Sequence, residues 1–257
     1  MLRLILCFFI PFLGTVLGAA TVFFVKGKLN QKFEQTLIGF AGGMMIAASV
    51  WSLLLPAIDQ SANLGKMAWL PAAIGFAVGI LFLFLVEIVS AKLMNKSKNE
   101  EPFRRKNSSM LLLAIAIHNI PEGMAVGVAL AGAYYAVPSI TLAAALTLAI
   151  GISIQNFPDG AMVSLPLYVD GVKKGKAFWL GVASGVLELI SGIVAFFLTE
   201  LFASILPYML AFAAGATMFV VIKDLIPNSQ NGEHSDLATI AFSLGFIIMM
   251  ILDIALA

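Results

Sequence analysis

Charge is what this sequence has least of. Only 11% of its 257 residues are Asp, Glu, Lys or Arg, and 61% are hydrophobic, where ordinary soluble domains carry roughly 25% charged residues. With a mean hydropathy of +1.01, the chain reads as an integral membrane protein. Cysteine is nearly absent: Cys7 stands alone, which excludes an intrachain disulfide and a thiolate metal cluster. The 15 basic residues barely exceed the 14 acidic ones, a balance that argues against a nucleic-acid partner. No His-Glu-x-x-His motif and no nucleophile paired with a base occur, which argues against an intramembrane metalloenzyme or any other enzyme.

What the chain has instead is apolar length. A spanning helix needs about 20 apolar residues, and eight such runs lie near 4–25, 34–56, 67–93, 109–132, 139–168, 177–200, 203–226 and 237–256. The expectation is an all-α transmembrane bundle of eight helices forming one domain, 1–257. The first run, with Arg3 ahead of it and Gly18-Ala19-Ala20 near its end, has some marks of a signal peptide, but its apolar stretch continues to Val25 and is long enough to span. The segment 95–109, NKSKNEEPFRRKNSS, is the one long charged stretch and reads as a cytoplasmic loop after the third run.

The basic residues fix an orientation. Lys26, Lys28, Lys32, Lys92, Lys96, Lys98, Arg104, Arg105, Lys106, Lys173, Lys174, Lys176 and Lys223 fall on one side, against only Arg3 and Lys66 on the other. By the positive-inside bias the odd-numbered connections are cytoplasmic and both termini lie outside, in the cell (inner) membrane. Small residues four apart, at Gly14/Gly18, Gly75/Gly79, Gly123/Gly127 and Gly181/Gly185, let helix backbones approach closely in lipid.

Two polar phrases interrupt this apolar pattern. His118-Asn119-Ile120-Pro121-Glu122-Gly123 lies in run 4, and Gln155-Asn156-Phe157-Pro158-Asp159-Gly160 in run 5. Ionisable residues at membrane depth face protein or water and mark function. His118 and Glu122 are four apart and share a helix face, as do Gln155 and Asp159, while Asn119 and Asn156 sit about 100° around. Pro121 and Pro158 lack the amide hydrogens that would bond Ile117 and Ile154, so both helices are expected to kink and free backbone oxygens. Runs 4 and 5 are antiparallel, so the phrases form an inverted repeat of the kind that secondary transporters place at the midplane.

The donors are nitrogen and oxygen: one imidazole, carboxylates and carboxamides, with no thiolate. Zinc, iron(II), manganese, cobalt and cadmium suit this set, and copper(I) does not. Glu188, deep in run 6, is a candidate to join the site or a proton path. Asp224 at the end of run 7 and Glu87 in run 3 are each either exit-side ligands or interfacial charges. Asp253, near the end of run 8, reads as interfacial and without a role, and His234 as a solvated loop residue. Ser49, Ser52, Pro56 and Asp59 could line an entrance.

HNIPEG, QNFPDG, the SGVLE stretch of run 6 and the KDLIP stretch ending run 7 together resemble the ZIP metal-ion transporters, in their prokaryotic GufA-type branch. The resemblance spans nearly the whole chain. It implies inward transport of divalent transition metals, most often zinc, through a 3+2+3 fold of inverted repeats. Residue by residue, His118, Glu122, Gln155 and Asp159 match one metal site. Asn119, Glu122, Asn156, Asp159 and Glu188 match its neighbour, with Glu122 and Asp159 bridging, and Asp224 falls on the exit route. The sequence departs from the family's pattern at Asp159, where glutamate is usual, at Asn156, where some relatives carry an acid, and in segment 95–109, which has no histidines.

The expected function is therefore a carrier of divalent metal ions working by alternating access in a lipid bilayer, with the metal as cargo and no prosthetic group. A selective metal channel using the same site is the first rival, and a carrier of organic cations a more distant one, since Phe157 is the only aromatic near the phrases. Pairing as a homodimer is left open by the sequence.

Overall fold

The computed structural model describes residues 2–25, 31–96, 103–135, 140–169, 171–201, 205–230 and 235–256. Among them no strand occurs. The helices are α1 (Leu2–Ala20), α2 (Gln31–Ala48), α3 (Leu55–Gln60), α4 (Trp69–Lys96), α5 (Phe103–Tyr134), α6 (Leu142–Val169), α7 (Lys174–Ser184), α8 (Val186–Leu201), α9 (Leu206–Val220), α10 (Ile226–Ser229) and α11 (Ser235–Leu256). Helix α4 runs to Lys96 and α5 starts at Phe103, so both ends of the charged segment 95–109 are helical.

Five stretches among the described residues are long and apolar enough to cross a membrane: Lys32–Gln60, Trp69–Val89, Lys174–Thr199, Leu206–Ser229 and Ser235–Ala255. Helices α5 and α6, of 32 and 28 residues, also have spanning length but carry the polar phrases at mid-helix. Large apolar side chains face outward on several helices, among them Leu81, Leu85, Ile190, Ile222, Ile247 and Ile254. A soluble protein would gather these residues into a core; a lipid-facing surface leaves them out.

Packing organises the helices into pairs: α1 with α6, α5 with α8, α2 with α11, and α4 with α9. Glycine makes each crossing. A Cβ at Gly14 or Gly18 would run into the carbonyls of Ser153 or Phe157 on α6, and one at Gly75 or Gly79 into those of Tyr208 or Phe212 on α9. In lipid, where burying apolar area drives little association, such backbone contact is what holds helices together.

Two departures from α geometry match each other. The π-helical stretch Ser49–Leu54 joins α2 to α3, and a second, Val221–Leu225, joins α9 to α10. Each closes with an amide reaching back five residues, Leu55 to Val50 and Ile226 to Val221, and each is followed by a proline, Pro56 or Pro227. Because proline supplies no amide hydrogen, the preceding turn widens. Pro121 and Pro158, by contrast, lie inside α5 and α6 without interrupting them. Helices α7 and α8 break at Gly185, which packs against Phe12 and Thr15 of α1.

Candidate metal site

Six residues of the two phrases and run 6 come together at the meeting of α5, α6 and α8. Asn119, Glu122, Gln155, Asn156, Asp159 and Glu188 are all buried, none more than 2% exposed. The glycine that ends each phrase is what brings the elements in. At Gly123 a Cβ would meet the Glu188 carbonyl, and at Gly160 one would meet the Thr15 carbonyl of α1. So α5 rests on α8 beside Glu122, and α6 rests on α1 beside Asp159.

Hydrogen bonds cross between these helices. Gln155 Nε2 donates to Glu122 Oε1 at 2.7 Å. Asn156 Nδ2 donates to both carboxylate oxygens of Glu188, at 2.9 and 2.8 Å, and makes a longer contact of 3.4 Å with the Pro11 carbonyl. Asn119 Nδ2 donates to the Ser184 carbonyl at 2.9 Å, at the break between α7 and α8.

What is left over is all acceptor. Asn119 Oδ1, Glu122 Oε2, Gln155 Oε1, Asn156 Oδ1 and Asp159 Oδ2 are buried without a hydrogen-bond donor. A buried polar atom without a partner is costly, and five unpaired oxygens around two carboxylates are the complement of a cation. Among the described residues no three His, Cys, Asp or Glu side chains form a ligand cluster. The oxygen donors here are carboxylates completed by carboxamides, whose neutral oxygens bind metals weakly. Beside Glu122 and Gln155 a small cavity reaches Ser49 and Thr217, walled by Leu53 and Leu148.

The remaining candidates divide. His118 stands in α5 one turn before Glu122, but its side chain, like residue His234, lies outside the described residues. Asp224 sits half-buried in the second π-helical stretch, next to Lys223, whose ammonium pairs with Glu87 and lies 5.5 Å from the Phe219 ring centroid. Asp253 is buried among the helices and accepts a hydrogen bond from Ser52 of the first π-helical stretch, so it has a structural partner that its place in the sequence did not announce. It is covered because α11 packs along α2 and the stretch that continues it.

Sequence reasoning missed what α1 and α7 contribute. The Pro11 and Ser184 carbonyls hold the two asparagine carboxamides, and no periodicity announces a backbone acceptor on another helix. Pro11 inside α1 was the available signal.

An all-helical protein with a lipid-facing exterior and a buried centre of carboxylates and carboxamides is a multi-pass membrane protein handling a cation. A family model described as ZIP zinc transporter matches residues 105–253. The chain is 34% identical to zinc transporter ZIP11 of Homo sapiens, over 94% of each chain. It is 33% identical to zinc transporter ZIPB of Bordetella bronchiseptica, over 95% of this chain and 78% of that one. Against zinc transporter GufA of Myxococcus xanthus the figures are 32%, 95% and 94%. The chain belongs to the ZIP zinc transporter family, in its GufA-like branch.

Proposed function

We propose that the protein carries divalent transition-metal ions, zinc foremost, across the cell membrane into the cytoplasm, by exposing the site between α5 and α6 alternately to either side. The observation that carries this reading is the set of unpaired buried oxygens on Glu122, Gln155 and Asp159. His118, one turn from Glu122, supplies the imidazole of the same site. Asn119, Asn156 and Glu188 line its other flank, and Asp224 serves the cytoplasmic exit.

Burial favours a carrier over a channel, since the acids are closed off from solvent on every side and an open pore would leave them wet. Eight spans arise if α2 and α3, α7 and α8, and α9 and α10 each continue one another. Exchanging spans 1, 2 and 3 with 6, 7 and 8, and 4 with 5, then turns the α1–α6 pair into the α8–α5 pair and the α2–α11 pair into the α9–α4 pair. It also superposes the two π-helical stretches with their prolines. That exchange supports the 3+2+3 inverted repeat, and with it a rocking motion about the central helices.

Proteoliposomes bearing the protein and supplied with radioactive zinc test the site. Replacing His118 with Ala should sharply reduce uptake, and uptake equal to wild type would sink the assignment.

A further inference from the structure

The polar centre holds two carboxylate environments that differ in one respect. Glu122 and Asp159 each keep an oxygen without a hydrogen-bond donor. Glu188 keeps none, because a single nitrogen, Asn156 Nδ2, lies 2.9 and 2.8 Å from its two oxygens. Both residues are buried, Glu188 at 2% exposure and Asn156 at 0%, so that carboxylate is out of contact with bulk solvent.

Resting on the reading of this centre as the transport site, we propose that Asn156 makes the protein a one-metal carrier, its carboxamide nitrogen standing where a second ion would have to bind Glu188. A metal would need to approach the Glu188 oxygens to roughly 2.0–2.2 Å, through the space the amide fills. Turning the carboxamide over would aim its oxygen at the carboxylate, lone pair against lone pair. It would also give up the contact with the Pro11 carbonyl on α1.

Charge sets what a second ion would need. Glu122, Asp159 and Glu188 carry at most three negative charges, one short of two divalent ions in a low-dielectric bundle, and an acid at position 156 would supply the fourth. The oxygens left on this flank, Asn119 Oδ1 and Asn156 Oδ1, are neutral and suited to water or to a weakly held ion in passage.

Tag-free protein in detergent, equilibrated with saturating zinc or cadmium, freed of loose metal and counted by elemental analysis, tests this. The wild type should hold one ion per chain, Asn156→Asp two, and Glu122→Gln none, each variant being taken only as a monodisperse species. A wild-type count of two overturns the proposal by itself, even if Asn156→Asp does not fold. A folded Asn156→Asp that still holds one ion overturns it as well. If Glu122→Gln keeps its metal, the reading of the centre fails and the proposal falls with it; loss of metal there alongside a wild-type count of two leaves the site standing and removes only the role of Asn156.

Discussion

Gln155 on α6 holds Glu122 on α5 by an amide-to-carboxylate hydrogen bond of 2.7 Å. The bond fixes one carboxylate oxygen and leaves the other, Oε2, free. Glu122 therefore presents a single oxygen to a cation, oriented by a neutral partner whose own oxygen is also unpaired. A neutral, weak donor beside a charged one suits an ion that must leave again.

Making that donor charged should turn binding into trapping. In Gln155→Glu the amide donor to Glu122 is lost and two carboxylates face each other, a repulsion that a bound metal relieves, so binding should tighten by about 1.5 kcal/mol or more, roughly tenfold in affinity. The apparent KM for zinc uptake is expected to fall by about that factor and the maximal rate to fall with it. A variant whose maximal rate rises would contradict this role for Gln155.

Asp159 is one methylene shorter than glutamate, so its carboxylate stops short of where a glutamate's would reach. Zinc takes oxygen ligands at roughly 2.0–2.2 Å, and cadmium, the larger ion, takes them at longer range. Asp159→Glu should therefore move preference toward zinc, by about fivefold in the ratio of zinc to cadmium uptake, equivalent to ~1 kcal/mol. Uptake of both ions in competition measures it, and a shift toward cadmium would refute the geometric argument.

The polar centre was legible in the sequence because its residues come as two phrases of matching spacing, and because an acid such as Glu188 in an apolar run has few tolerable positions other than a protein interior. All six of its described side chains are buried as expected. Less legible was anything resting on contact between distant elements. Asn119 and Asn156 are held by backbone carbonyls of Ser184 and Pro11, atoms every residue owns. The prolines drew attention to α5 and α6, yet the irregular turns formed beside Pro56 and Pro227, where the widened ladder precedes the ring. Nor does Asp253's nearness to a run's end say which neighbour covers it.

Ser52 should prove important to stability despite a modest appearance. Removing its hydroxyl in Ser52→Ala leaves the buried Asp253 carboxylate without its donor, since Asp253 Oδ2 is already unpaired. The cost is expected at ~1–3 kcal/mol. Thermal unfolding in detergent should drop by several degrees, on the order of 2–8 °C. The control is Ser243→Ala, whose exposed hydroxyl bonds only its own helix at Thr239, and equal midpoints for the two variants would show the Asp253 contact to be idle.

The glycine crossings have a consequence for how such a protein can change. Every polar group named at the centre, including the carbonyls that accept from Asn119 and Asn156, comes from α1, α5, α6, α7 and α8. The α2–α11 and α4–α9 pairs add only walls, such as Ser49, Leu53 and Thr217. Were the centre to set ion preference, that preference would reside in one half of the molecule, apart from the α2–α11 and α4–α9 pairs.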